Sequence, residues 1–374
     1  MEIMTELRAA IDDQQAYIRN LKETGGKKII GYMCTYAPEE IIHAAGAHPL
    51  RLFGAQKNIV LAEGHLQAYC CSLVRGVLED ALAGDLNFLD GMIFPHTCDS
   101  VQRLSDIWRL NVSAGFHLDV VLPVKLDTAS AKDYLIAVLH RFRSDLEAAL
   151  QVKITDDDLG KSIILYNEIR SGLQKVYEVK NNNPEAISGR DIYTLVKAAM
   201  IMERSRYLDI LQQVVREVQQ AGVQSLQKGR KRLVLSGGLC SHPDIYDLIE
   251  KAGGTVVGDD LCTGSRYFAG MIETTGDPIS ALAGRLLQRP LCPAKHKDNS
   301  TRAENLRQIV GAGKAAGVIF MLLKFCDPHA FDYPYLKEAL DQAGIPSLLL
   351  EVEDQLPAKG QLQTRIEAFL ETLS

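Results

Sequence analysis

IIGYMCTYAPEEIIHAAGAHPLRL, residues 29–52, reads as strand, helix, strand. A short apolar run ends at a cysteine, Cys34. Pro38, Glu39 and Glu40 then open an amphipathic helix. Proline gives up an amide that the first turn leaves unpaired anyway, and acids favour the positive end of the helix dipole. Ala45-Gly46 stops the helix, and a second apolar run follows. Residues 233–259, LVLSGGLCSHPDIYDLIEKAGGTVVGD, repeat the order of strand, cysteine, proline with an adjacent acid, helix, Ala-Gly stop and strand. A duplicated unit gives such a match, and so do any two βαβ units.

Outward from these two stretches, apolar runs at KKIIGYM, PLRLFG, LDGMIFP and HLDVVLPVK alternate with helical patterns at 67–83 and 100–110. Alternation of this kind predicts a parallel sheet covered by helices. RLVLSGG, GTVVGDD, AGVIFMLLKF and PSLLLEVE predict a second sheet. The region between is charged and helix-periodic, with NNNPEAISGR (181–190) as its evident loop. The expectation is an α/β chain with an N-terminal α/β domain at 1–129, a helical segment at 130–228 and a C-terminal α/β domain at 229–374. The start of the chain reads as one amphipathic helix ending at Gly25-Gly26.

At 374 residues the chain has the length of two or three domains. A net charge of -6 argues against tracking a phosphate backbone, so nucleic acid is not an expected partner. The longest apolar stretch, 318–323, falls far short of the ~20 residues of a bilayer span. The N-terminus lacks the basic start and unbroken apolar core of a secretory signal. These features predict a cytoplasmic protein with no membrane partner.

Eight cysteines, at 34, 70, 71, 98, 240, 262, 292 and 326, include no CxxC pair. Zinc-ribbon and ferredoxin-type runs are therefore absent, and a cytoplasmic chain rarely keeps a disulfide framework. Cys34, Cys98, Cys240, Cys262 and Cys326 each come just after an apolar run. Ligands of open α/β sheets bind beyond the carboxyl ends of the strands. A thiol there faces the crevice, and the N-terminus of the next helix favours its thiolate. Cysteine also fills cores as a small hydrophobe, but core cysteines have no reason to gather just past strands. Three such thiolates suit an iron–sulfur cube with one open iron, and zinc is the other metal that sulfur ligands select.

Six stretches together carry a family resemblance: GYMCTYAPEEIIHAAGAHPLRLFG, FPHTCDSVQRLSDIW, SGGLCSHPDIYDLIEKAGG, DDLCTGSRYF, RPLCPAKHKDNSTRAENL and KFCDPHAFDYPYLKEAL. The chain resembles the iron–sulfur subunits of the 2-hydroxyacyl-CoA dehydratases and the related benzoyl-CoA reductases. The resemblance implies two flavodoxin-like parallel-sheet domains with a helical segment between them. It implies a [4Fe-4S] cluster held by Cys34 in CTYAPEE, Cys98 in HTCDS and Cys326 in KFCDP. It implies an acyl-CoA substrate, a dimer with a homologous second subunit or with the chain itself, and an ATP-hydrolysing iron–sulfur activator that injects one electron. In such an anaerobic lyase the thioester becomes a ketyl radical anion that expels the hydroxyl. A thioester activates its α carbon and leaves the β-proton barely acidic, which is why a radical is needed. An open iron adds a Lewis acid. The chain has no Walker lysine motif, and the resemblance assigns ATP to the activator.

Some members of the family carry a double-cubane [8Fe-9S] cluster on six cysteines. Cys71, Cys262 and Cys292 are the further positions for it here, and such a chain is a homodimeric ATP-dependent reductase of small molecules. A non-catalytic partner subunit is the other alternative. Cys70 and Cys240 fit neither set, and Cys70 is expected to pack. Glu39, Glu40 and His43, one turn apart, are candidates for a general base, against a capped helix with an exposed acidic start. His96 is a candidate donor to a cluster sulfide or the substrate, or a packed loop histidine. Asp99 and Asp327 are expected to cap the helices they precede. The glycines of 236–238 are candidates to approach a CoA phosphate. Arg266 and Tyr267 are candidates for CoA or partner contact, or for surface packing.

Overall fold

The computed structural model of the chain describes residues 3–54, 58–221, 229–298, 300–353, 356 and 358–373. The end of the expected helical segment, 222–228, lies outside them. Eight strands form two all-parallel sheets. The first holds β1 (Ile29–Tyr32), β2 (His48–Arg51), β3 (Gly91–Pro95) and β4 (Phe116–Val120). The second holds β5 (Lys231–Gly237), β6 (Gly254–Asp260), β7 (Gly317–Leu323) and β8 (Ser347–Val352). Their orders, β2-β1-β3-β4 and β6-β5-β7-β8, are the same. This is the order of the first four strands in flavodoxin-like sheets, where ligands bind between the first and third strands. The α/β architecture expected from the alternating runs is the one observed.

The central strands are apolar on both faces because helices cover both. In β1, Ile30 and Tyr32 enter one core while Ile29 enters the other. In β7, Ile319 and Met321 face one core, and Val318 and Phe320 the opposite one. Four helices stand between the sheets in sequence: Ala129–Leu150, Asp156–Asn182, Gly189–Ala199 and Arg204–Ala221.

The first helical stretch differs from expectation. It is two helices, Met4–Asp12 and Gln14–Gly25, because the Asp13 carboxylate caps the second by accepting from the Ala16 amide at 2.9 Å. Gly26 closes that helix in the left-handed region at φ 60°, a conformation that suits glycine.

Packing ties the chain's two ends together. Helix Pro278–Gln288 lies in sequence between β6 and β7. It packs on helix Ala129–Leu150, and Ile279, Leu282 and Leu286 join the core beneath the first sheet. The loop that follows is stitched to the segment after β4: the His296 amide donates to the Val124 carbonyl at 2.8 Å, and the Leu126 amide to the His296 carbonyl at 2.9 Å. A loop of the second half is thereby delivered to the carboxyl end of the first sheet.

Candidate functional site

The carboxyl ends of both sheets open onto one crevice. Cys34 lies two residues beyond β1, Cys98 three beyond β3, Cys262 two beyond β6 and Cys326 three beyond β7. Cys98 is the N-cap residue of helix Asp99–Asn111, Cys326 of helix Asp327–Gln342 and Cys71 of helix Ser72–Leu82. The caps are thus the cysteines themselves, and Asp99 and Asp327 sit one position further on, inside the first turns. Phe325, just before Cys326, has φ 61°. A bulky residue adopts that conformation only where the surroundings enforce it, and it turns the chain from β7 into the helix at Cys326.

Six thiols lie within one another's electrostatic reach. Burial pushes Cys98 up to about 12, and the neighbouring Cys71 and Cys34 add to the rise. Burial pushes Cys71 up to about 11. Burial raises Cys326 far above the usual thiol range, with Cys71, Cys98 and Cys262 contributing. The neighbouring Cys292 lowers Cys262, with Arg266 adding, and Cys292 itself is raised by Cys262 and by burial, with Cys34 adding. Packing divides the set. Cys71, Cys98 and Cys326 lie against the core that contains Trp108, whereas Cys34 and Cys292 lie against the core on the other face of the first sheet. Cys240 is buried in the core of the second sheet and Cys70 beside Cys71 in the first. The expected help of helix N-termini is present as backbone amides near Cys71 and Cys98, but desolvation outweighs it. Burial therefore favours the protonated form of Cys71, Cys98, Cys292 and Cys326, and only Cys262 is shifted the other way.

Cations are present and buried. Arg266, 1% exposed, donates to the Cys262 sulfur at 3.3 Å, to Asp260 at 3.4 Å, and to the Gly237 carbonyl. The same guanidinium lies 3.3 Å from His329 Nε2, and His329 Nδ1 lies 3.3 Å from the Cys326 sulfur. Arg302 closes the network on Asp260 at 2.9 Å and Asp332 at 2.7 Å. Three other cations, Arg51, Arg289 and Lys295, are 2%, 4% and 1% exposed, and among the described residues none forms an ion pair with a carboxylate. The Lys295 ammonium is lowered by burial, against which the charges of Cys34, Cys292 and Cys98 work. Buried charge of one sign without a counterion is costly. The donor set therefore fits an anionic thiolate-bound group. Among the described residues no three acids, histidines or thiols stand close enough to grip a single metal ion. An iron–sulfur cube spreads its thiolates over separate irons, so it takes a wider set.

Beside Cys98 the crevice widens into an open cavity of about 550 Å³ lined by Thr97, Asp99, Lys295, Asp327 and Phe331 among others. That size is in the range of small-molecule sites.

Glu39, Glu40 and His43 stand elsewhere. The two acids are 5% and 3% exposed, so the expected exposed acidic start is instead buried. Glu39 accepts from Arg204 at 3.0 Å and from the Tyr166 and Tyr267 hydroxyls at 3.3 Å. Burial disfavours charge on Glu40, but Arg170 and Arg285 outweigh it and hold the carboxyl below its usual range. None of the three lines the cavity. His96 lies 2.9 Å from Asp119. Arg266 and Tyr267 are interior, not surface, residues. Gly237 answers to packing, since a Cβ there would meet the Met321 carbonyl of β7 at 2.0 Å.

Burial, with Arg204 and Lys27 adding, pushes His43 down to about 4, and burial and Arg204 push His48 far below its usual value. Both rings stay neutral in the fold while the unfolded chain takes up protons below pH ~6.5. Stability present at neutral pH is therefore lost as pH falls, by about 2 kcal/mol at pH 5 from His43 alone. Urea unfolding of the metal-free chain at pH 7.5 and pH 5 checks this, and His43→Gln should flatten the dependence.

The fold and site define a class: a two-sheet α/β protein whose strand-end loops gather thiols and buried cations in one crevice. The model of the family described as 2-hydroxyglutaryl-CoA dehydratase, D-component, matches residues 34–373, and the chain belongs to that family. It is 28% identical over 372 residues to the (R)-phenyllactyl-CoA dehydratase beta subunit of Clostridium sporogenes, covering 100% of this chain and 99% of the relative. It is 29% identical to one of the benzoyl-CoA reductase subunits of Thauera aromatica over 90% of this chain and 88% of that one. With the (R)-2-hydroxyglutaryl-CoA dehydratase beta subunit of Acidaminococcus fermentans it shares 28% identity over 93% of both. The chain is thus a subunit of the dehydratase and reductase type. No helix among the described residues is long and apolar enough to cross a membrane.

Sequence reading singled out Arg266, but for CoA or partner contact, and it missed the other buried cations and His329, although some of them had a signal. Arg266 follows Cys262 by four residues and His329 follows Cys326 by three, which puts each pair on one face of a turn. Arg51 carries no such local mark.

Proposed function

We propose that this chain is the iron–sulfur subunit of a cytoplasmic, anaerobic acyl-CoA dehydratase or benzoyl-CoA reductase type enzyme. Cys34, Cys98 and Cys326 would hold a [4Fe-4S] cluster in the crevice. When bound, the cluster supplies one low-potential electron, received from an ATP-hydrolysing activator, for conversion of a thioester to a ketyl radical. The observation that carries the reading is the convergence of thiols from both sheets on a basin with three uncompensated buried cations. The chain's own part is to keep these thiols dry and to offset their charge with Arg266, Arg289 and Lys295. The cavity beside Cys98 gives a small acyl group access, and its lysines suit an anionic ligand. The names of the relatives, each one subunit of a larger enzyme, support assembly with a second, homologous chain or with another copy.

One observation favours a second reading of the metal centre. Cys71, Cys262 and Cys292 belong to the same set of interacting thiols as Cys34, Cys98 and Cys326. Six thiols suit the [8Fe-9S] double cubane of a homodimeric ATP-dependent reductase. Iron and sulfide analysis of anaerobically purified chain tests both: about four irons per chain for a cube, about eight for the double cubane. A chain with neither iron nor sulfide would refute both.

A further inference from the structure

Arg51 is the last residue of β2, and its register partner is Tyr32, the last residue of β1, from which the chain leads to Cys34. The side chain is 2% exposed, and its Nε and Nη1 have no hydrogen-bond partner among the described residues. No carboxylate pairs with it among them either. Aromatic faces hold it, with the guanidinium carbon 5.9 Å from the Tyr32 ring centre and 5.8 Å from that of Phe53. Arg51 thus ends its strand at the carboxyl edge of the first sheet, beside the strand that leads to Cys34, while Arg266 meets Cys262 from the second sheet. Leaving buried donors of a charged group unsatisfied costs several kcal/mol in an isolated fold. A fold tolerates that where an acceptor arrives.

We propose that Arg51 donates its free Nε and Nη1 hydrogens to the anionic centre held in the thiol crevice and thereby sets that centre's reduction potential. The assignment rests on the iron–sulfur reading above. Hydrogen bonds to cluster sulfurs and nearby positive charge both favour the reduced, more negative state. Outside the sheet the Arg51 amide donates to the Met200 carbonyl at 3.1 Å, so its backbone is held independently of its side chain.

The test is anaerobic potentiometric titration, followed by electron paramagnetic resonance, of wild type, Arg51→Gln and Arg51→Lys, each with iron and sulfide measured. Arg51→Gln is expected to keep wild-type iron while its reduced-to-oxidised ratio at fixed potential falls at least about tenfold, equal to ~59 mV for one electron. Arg51→Lys, which keeps the charge and loses the fork, is expected to fall between. A loaded Arg51→Gln whose ratio stays within about twofold of wild type overturns the assignment and leaves the cluster reading standing. Should Arg51→Gln fail to hold iron, Arg51→Lys decides, since an unshifted potential there also overturns it. A wild-type chain that takes up no iron and sulfide overturns the cluster reading and, with it, this assignment.

Discussion

Replacing Arg204 by methionine is expected to lower the free energy of unfolding by about 3–5 kcal/mol. Arg204 is fully buried and spends its whole fork inside the protein. It donates to Glu39 at 3.0 Å, to the Tyr166 hydroxyl oxygen at 3.0 Å, and to the carbonyls of Pro49 at 2.9 Å and Met202 at 2.5 Å. Methionine fills much of the space but leaves Glu39 charged, dry and held only by two tyrosine hydroxyls. The loss is a large share of the ~5–15 kcal/mol that keeps a typical domain folded. Removing both charges in Arg204→Met with Glu39→Leu should recover more than either single change predicts, because the penalty is the orphaned charge and not the absent bond. Urea unfolding of the three variants measures this, and additive losses would mean that the pair is not coupled. The network also reaches the site. Glu39 follows Cys34 on the next helix, and Tyr267, which donates to it, follows Cys262. The loops of two candidate ligands are therefore tied to one carboxylate, and Arg204→Met should release iron faster than wild type.

The strands and their alternation with helices were legible because burial on both faces leaves no choice but a continuous apolar run. IIGY and GVIFMLL announce themselves for that reason. Cys34, Cys98, Cys262 and Cys326 were legible from their position just past a strand, but Cys240, three residues past β5, holds the same position and packs in the core instead. The role of Glu39 and Glu40 was not legible. Their partners Arg204 and Arg170 come from helices 165 and 130 residues away in sequence, and acids after a proline look the same on an exposed helix. The break at Asp13 was hidden because a good N-cap inside a helix-favouring run changes no apolar spacing. Cys292 follows a helix, not a strand. It reaches Cys34 only because helix Pro278–Gln288 crosses to the first sheet, a tertiary choice no local pattern records.

Cys98→Ser is expected to strip iron from the chain more severely than the roughly 10–100-fold loss that outer-shell changes cost a metal site. Cys98 caps a helix at the mouth of the cavity, within reach of Cys34 on one side and Cys71 and Cys326 on the other. It is therefore a ligand under either reading of the centre, and serine offers a hydroxyl that does not ionise at this depth. Cys240→Ser is the control. Its sulfur is buried in the second sheet's core with a 3.7 Å contact to the His242 carbonyl, so the variant loses packing and keeps its iron. The remaining thiols then separate the readings. Under a single cube on Cys34, Cys98 and Cys326, each of Cys71→Ser, Cys262→Ser and Cys292→Ser retains the wild-type iron. Under the double cubane each of them loses iron as Cys98→Ser does. Cys262 is the sharpest of the three. Cys292 and Arg266 already favour its thiolate, so of the three it is the sulfur best prepared to hold iron if the double cubane forms. A Cys98→Ser chain that still carries full iron would show that the thiols of this crevice hold no cluster.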